Sequence, residues 1–123
     1  MTGGLIIGHS DIGESILRAL KSITGSFKEL YCLSNEGLST DELVGKIKDF
    51  STGKKVDGLL IFIDVYGGSC WRAAKIAKPD RSYIVTGVNL PMMLSFVQKR
   101  DTFSFDDLPG ILETDGKRGV KSE

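Results

Sequence analysis

Residues 58–69 read Gly58-Leu59-Leu60-Ile61-Phe62-Ile63-Asp64-Val65-Tyr66-Gly67-Gly68-Ser69. The apolar run is continuous rather than alternating, which is the pattern of a strand covered on both faces of a parallel sheet. Asp64 ends it and Val65-Tyr66-Gly67-Gly68 forms a loop. Ser69 then caps a short helix to about Ala77, where Lys78-Pro79-Asp80 breaks it. Upstream, Leu5-Ile6-Ile7 lies between Gly3-Gly4 and Gly8 and predicts a first strand. Asp11, with Glu14 three residues on, has the form of a capping box. Ile12, Ile16, Leu20 and Ile23 would then lie on one helix face, and Gly25 closes that helix.

The remaining chain repeats this alternation. Phe27 to Leu33 predicts the second strand. Ser39 and Glu42 form another start signal before Leu43, Ile47 and Phe50, ending at Gly53. Ser82 to Val88 predicts the fourth strand, and Asn89-Leu90-Pro91 opens a helix to about Lys99. A last helix is expected from Phe105 to Thr114 after a Ser104 cap, with Pro109 costing a backbone bond or a kink. Gly116 to Glu123 reads as a polar tail. The expected fold is α/β: a single doubly wound domain over residues 1–123, with a mainly parallel four-stranded sheet of order 2-1-3-4 and helices on both faces.

Composition narrows the function classes. At 123 residues the chain is one ordinary domain, able to bury roughly two-thirds of its unfolded surface without a disulfide or structural metal. Hydrophobic residues at 41% and charged residues at 26% argue against disorder. Sixteen basic residues balance sixteen acidic ones, leaving no electrostatic footprint for nucleic acid or anionic lipid. The longest purely apolar run, Leu59 to Ile63, falls far short of the ~20 residues of a membrane span. The first basic residue is Arg18, so no secretory signal is expected and a cytoplasmic location is. The single histidine and the separated thiols of Cys32 and Cys70 do not read as a zinc cluster. No metal and no cofactor is expected.

In an open parallel sheet, ligands bind beyond the carboxyl ends of the strands, where strand order reverses. Order 2-1-3-4 puts that crevice between the first and third strands. His9 stands at the end of the first and Asp64 at the end of the third. A carboxylate that accepts the Nδ1–H of an imidazole fixes the tautomer and leaves Nε2 with a free lone pair. Gly67-Gly68-Ser69, at a helix start, offers close backbone approach and N–H groups for an anion. Nucleophile, orienting acid and anion cradle suggest phosphoryl transfer through phosphohistidine. No Walker A lysine motif is present, so a protein is the expected donor rather than ATP. Plainer readings stand beside these: Gly67-Gly68 as a tight turn, Ser69 as a helix cap, Met92, Met93, Leu94 and Val97 as core, Cys32 as a buried strand residue.

Three segments carry a resemblance: Gly8-His9-Ser10-Asp11-Ile12-Gly13-Glu14, then Ile61-Phe62-Ile63-Asp64-Val65-Tyr66-Gly67-Gly68-Ser69, then Thr86-Gly87-Val88-Asn89-Leu90-Pro91-Met92. In order and spacing they resemble the mannose-type IIA family of the bacterial phosphoenolpyruvate-dependent sugar phosphotransferase system. The resemblance implies a phosphotransferase that takes phosphate from phospho-HPr and passes it to a IIB component. The family's phosphorylated histidine falls on His9 and its orienting aspartate on Asp64. The aromatic residue before the paired glycines falls on Tyr66, and the phosphate-binding segments fall on Gly67, Gly68, Ser69 and Asn89. It also implies a homodimer that exchanges C-terminal segments.

The chain departs from the family at the rim. Gly8 and Ser10 flank the histidine where threonine or serine and glycine are usual. Cys70-Trp71-Arg72 follows the G-G-S loop where proline, a variable residue and asparagine are usual, and the tail after Gly119 is short. These residues would set partner choice. Arg72, within reach of a phosphoryl oxygen, would lengthen the phosphorylated state and favour a regulatory role. Alternatives are a regulatory phosphoacceptor, a dihydroxyacetone-kinase phosphotransfer subunit, and a non-catalytic flavodoxin-like binding module.

Overall fold

A computed structural model describes residues 1–54 and 56–123. Nine elements follow one another: β1 (Thr2–Gly8), α1 (Ile12–Thr24), β2 (Leu30–Ser34), α2 (Thr40–Thr52), β3 (Gly58–Ile63), α3 (Ser69–Ala77), β4 (Ser82–Thr86), α4 (Leu90–Lys99) and α5 (Leu108–Arg118). The strands are all parallel, in the expected order β2-β1-β3-β4. Register places Ile7 of β1 beside Leu33 of β2 and Ile63 of β3, so these three strands end on one rim.

The continuous apolar runs divide their side chains between two cores. Ile6, Leu60 and Phe62 pack with Leu20, Phe96 and Leu112, from α1, α4 and α5. Leu5, Ile7, Leu59, Ile61 and Ile63 pack with Leu43, Ile47, Cys70, Ala73 and Ala74, from α2 and α3. This alternation is why both β1 and β3 are buried along their whole length. Burial on both faces, at about 25 cal/mol per Å² of apolar surface, makes the central pair the stable frame on which the rim is built.

Several local expectations change. β1 begins at Thr2, because Gly3 and Gly4 belong to it. A Cβ on Gly4 would stand 2.7 Å from Leu30 Cδ1 and 2.9 Å from Phe96 Cε2, so glycine is what lets those side chains close. β2 starts at Leu30 rather than Phe27, after Glu29 turns the chain at φ 49°. β4 stops at Thr86 because Gly87 turns at φ 73°. In α1 Asp11 makes no side-chain cap bond, and the buried residues are Gly13 and Leu20, not Ile12 and Ile23, which stay exposed. Ile16 and Leu20 of the expected face do pack inward, but Gly13 and Leu17 join them in place of Ile12 and Ile23, and a Cβ at Gly13 would meet Cys32 Cβ at 2.9 Å. The α2 capping box of Ser39 and Glu42 forms as expected.

The C-terminal portion differs most. Ser104 begins a turn, not the helix: it accepts the Asp107 N–H at 3.2 Å, and α5 starts only at Leu108. Pro109 therefore sits in the first helical turn, where its missing N–H has no intrahelical partner to lose. The supposed polar tail is helical to Arg118, with Gly116 buried against Met92. α3 is capped by Gly68, and Ser69 is its first residue.

Candidate functional site

At the carboxyl rim, β1 delivers His9 and β3 delivers Asp64 to the same point. The His9 main-chain N–H donates to Asp64 Oδ2 at 2.9 Å, and His9 Nδ1 lies 2.7 Å from the same oxygen. Oδ1 accepts the Val65 N–H at 2.9 Å. The carboxylate is thus fixed from both sides, with its side chain 9% exposed, while the imidazole is 47% exposed. Burial works to raise the Asp64 pKa, but the His9 backbone and ring donors and the Val65 N–H outweigh it. They hold the carboxyl below its usual range. An ionised Asp64 at Nδ1 selects the Nδ1–H tautomer, and Nε2 keeps its lone pair.

The chain around this pair is shaped to expose it. Ser10, next to the histidine, sits in the left-handed region at φ 53°. Gly67 turns at φ 83°. A Cβ on Gly68 would stand 3.6 Å from His9 Cε1, so the loop passes close over the ring. The Ser69 hydroxyl is 3.4 Å from His9 Nε2. The N–H groups of Ser69, Cys70 and Trp71, in the first turn of α3, have no carbonyl partner within the helix, whereas Arg72 already bonds to Gly68. They form a local field suited to anionic oxygens.

Other expected site residues lie further out or are engaged elsewhere. Asn89 caps α4 by accepting the Met92 N–H at 2.9 Å and donates to the Gly116 carbonyl at 3.2 Å. Its side chain is committed to holding α4 and α5. Tyr66, exposed, packs on Trp71 with ring centroids 5.0 Å apart. Arg72 is exposed, one turn along α3 from Ser69. Cys70 is not on the rim: it is fully buried, its Sγ 3.9 Å from His9 Nδ1. Burial, aided by the nearby Asp64 charge, pushes this thiol up to about 11.

Asn35, at the end of β2, is a participant that the sequence reading missed. Its amide donates to Ser69 Oγ at 3.5 Å, and its main-chain N–H donates to the Gly8 carbonyl at 3.1 Å. The strand-end rule that found His9 and Asp64 would have found it, had β2 been ended one residue later. A groove of about 770 Å³ lies not over His9 but along β4, lined by Tyr66, Trp71, Tyr83, Thr86, Pro109 and Glu113. The half-exposed His9 ring lies on the rim, outside this groove.

Residues 3–111 match the family described as the PTS system fructose IIA component. The chain belongs to this family. It is 27% identical over 128 aligned positions to the PTS system mannose-specific EIIAB component of Escherichia coli K12, covering 99% of this chain and 40% of that protein. It is 28% identical over 115 positions to the PTS system fructose-specific EIIA component of Bacillus subtilis 168, covering 88% of this chain and 77% of that protein. The chain thus spans about two-fifths of the length of the mannose-specific relative. Phosphotransferase system component EIIA from Streptococcus agalactiae has the same fold, with TM-score 0.91 at 20% identity over 99% of this chain and 97% of that one. Among the described residues, no helix of this IIA-family chain is long and apolar enough to cross a membrane.

Proposed function

We propose that the chain is a phosphocarrier that accepts a phosphoryl group on His9 Nε2 from phospho-HPr and passes it to a IIB component during sugar uptake. The observation that carries this reading is the 2.7 Å contact between His9 Nδ1 and Asp64 Oδ2, with the ring open to solvent. The Nε2 lone pair attacks phosphorus, the N–P bond forms as the bond from phosphorus to the donor breaks, and Asp64 stabilises the positive charge that develops on the ring. Ser69 Oγ and the first N–H groups of α3 receive the phosphoryl oxygens. Transfer onward reverses these movements toward the acceptor. Family membership supports the same role.

The finer parts of the reading concern the rim and the sheet edge. Tyr66, Trp71 and Arg72 border the loop over His9 and would meet the partner proteins, with Arg72 prolonging the phosphorylated state. β4 is an edge strand with an open groove beside it, which suits a homodimer contact. The protein acts in the cytoplasm, where donor and acceptor meet.

The test is incubation with phosphoenolpyruvate, enzyme I and HPr, followed by intact mass. Wild type gains one acid-labile phosphate and His9→Ala gains none. Phosphate on the alanine variant would overturn the assignment.

A further inference from the structure

Beside the His9–Asp64 pair the fold places a thiol, Cys70 Sγ, that phosphoryl transfer does not require. His9 Nδ1, an Asp64 carboxylate oxygen and Cys70 Sγ all lie within 4.8 Å of one another. Among the described residues no other three such side chains converge in this way. We infer that these three side chains form a latent site for a zinc-class divalent ion, and that occupancy of this site and phosphorylation of His9 exclude one another. The second half rests on the phosphocarrier reading; the first does not.

The donor set is one that zinc takes: an imidazole nitrogen, a thiolate sulfur and a carboxylate oxygen, with a fourth position for water. Zinc with bonds of about 2.0–2.1 Å to nitrogen and about 2.3 Å to sulfur, at tetrahedral angles, holds those two atoms roughly 3.5 Å apart. In the resting protein they are 3.9 Å apart, already within a few tenths of an ångström. Nitrogen and oxygen on the same ion stand roughly 3.4 Å apart. Here they are at hydrogen-bond distance, 2.7 Å, so the ion must open that contact and take the proton's place between them. The exposed imidazole has room for this movement, and the Val65 and His9 main-chain N–H groups continue to hold the carboxylate.

The proton balance makes the site a switch. A neutral imidazole carries one proton. In the metal-free protein it is on Nδ1, given to Asp64, and Nε2 is the nucleophile. An ion at Nδ1 uses that lone pair, so the ring proton moves to Nε2, and the Cys70 thiol proton leaves to solvent. Nε2–H has no lone pair for phosphorus. One ring therefore serves either the metal or the phosphoryl group.

Cobalt(II) is the probe, because a thiolate ligand gives it an intense near-ultraviolet charge-transfer band. Titration of the reduced full chain is expected to raise that band to saturation at one ion per chain, and zinc should abolish it by displacement. Cys70→Ala removes the band, His9→Ala weakens binding at least about tenfold, and Cys32→Ala leaves both unchanged. Circular dichroism checks that each variant is folded; His9 is exposed, so its replacement tests the site even if the Cys70 variant unfolds. No band in wild type, a band that depends on Cys32, or full affinity in folded His9→Ala would overturn the site.

For the exclusion, zinc-loaded protein is mixed with purified phospho-HPr. It should accept no phosphate until a chelator is added, while Cys70→Ala is equally phosphorylated with and without zinc. Equal phosphorylation of loaded and unloaded wild type would overturn the exclusion. Failure of the metal-free protein to accept phosphate would overturn the phosphocarrier reading, and the cobalt result would stand by itself.

Discussion

The two ends of the sheet treat polar groups in opposite ways. At the amino end Arg100 is 5% exposed, yet each nitrogen of its guanidinium donates to a main-chain carbonyl. Nε and Nη2 donate to the Thr2 carbonyl, Nη1 to Lys28 at 2.6 Å, and Nη2 also to Glu29 at 3.0 Å, with Phe96 stacked 4.5 Å from the guanidinium carbon. Burial lowers the Arg100 pKa, but these carbonyls keep the charge solvated. Nearby the amino terminus pairs with Asp57 at 2.7 Å, and Arg81 donates to the Asp57 carbonyl. At the carboxyl end the pattern stops short of completion. Asp64 is fully engaged, but His9 Nε2 meets only a hydroxyl at 3.4 Å. Closed polar clusters hold the strands together; the one left open is where chemistry can occur.

The largest expected effect breaks the open end. Asp64→Asn puts an amide where two donors from His9 and one from Val65 converge. If its oxygen faces His9, its NH₂ opposes the Val65 N–H. In the other orientation the NH₂ forces Nδ1 to accept and moves the ring proton to Nε2. Phosphate acceptance, followed by rapid quench and mass, should slow roughly 10²–10³-fold with the fold retained. A rate within a few-fold of wild type would mean that the tautomer is not set by Asp64.

Breaking the closed end should have the opposite signature. Arg100→Met keeps the stem on Phe96 but removes the guanidinium donors from the Thr2, Lys28 and Glu29 carbonyls, of which Glu29 keeps the Gly4 N–H at 3.0 Å. A loss of about 2–3 kcal/mol in urea unfolding is expected, with the rate of phosphate acceptance per folded molecule unaltered. A slowed folded variant would show that the two ends are coupled.

A smaller effect sharpens the comparison by pH. The folded-state pKa of Asp64 is depressed, so its stabilisation is complete above the unfolded value, ~3.9. It is lost as pH falls below that through the folded value. The stability gap between wild type and Asp64→Asn should therefore narrow on acidification from about pH 5 to pH 3. Asp57 and Asp115 are depressed too, but they are common to both proteins and cancel in the difference. A gap that widens on acidification would contradict the assigned direction. The smallest change concerns the rim: Arg72→Asn should shorten the phosphohistidine lifetime roughly two- to threefold, and equal lifetimes would remove Arg72 from the account.

Most of the frame was legible because its signals are local and redundant. The unbroken run Leu59–Ile63 announces a two-sided strand, and strand order then carries His9 to Asp64. What was not legible depends on packing. Gly13, against Cys32, joins the inner face of α1 in place of Ile12 and Ile23. Met92 against Gly116 draws the C-terminal residues into a helix that composition alone reads as a tail. Cys70 looked like a rim residue because it follows the glycine loop. The first turn of α3 instead directs it inward, next to the imidazole, a direction that depends on whether Gly68 or Ser69 caps the helix. Asn89 shows the converse: a motif residue whose side chain is taken up by two helix contacts.

The central claim is that Asp64 presents His9 with Nε2 bare. Long-range ¹H–¹⁵N correlation of ¹⁵N-histidine-labelled, metal-free protein at mildly alkaline pH reports on it directly, since the chain has one histidine. The expected result is an Nδ1–H tautomer whose Nε2 resonance splits by coupling to ³¹P after incubation with phospho-HPr. A resting Nε2–H tautomer, or phosphorus on Nδ1, would contradict it.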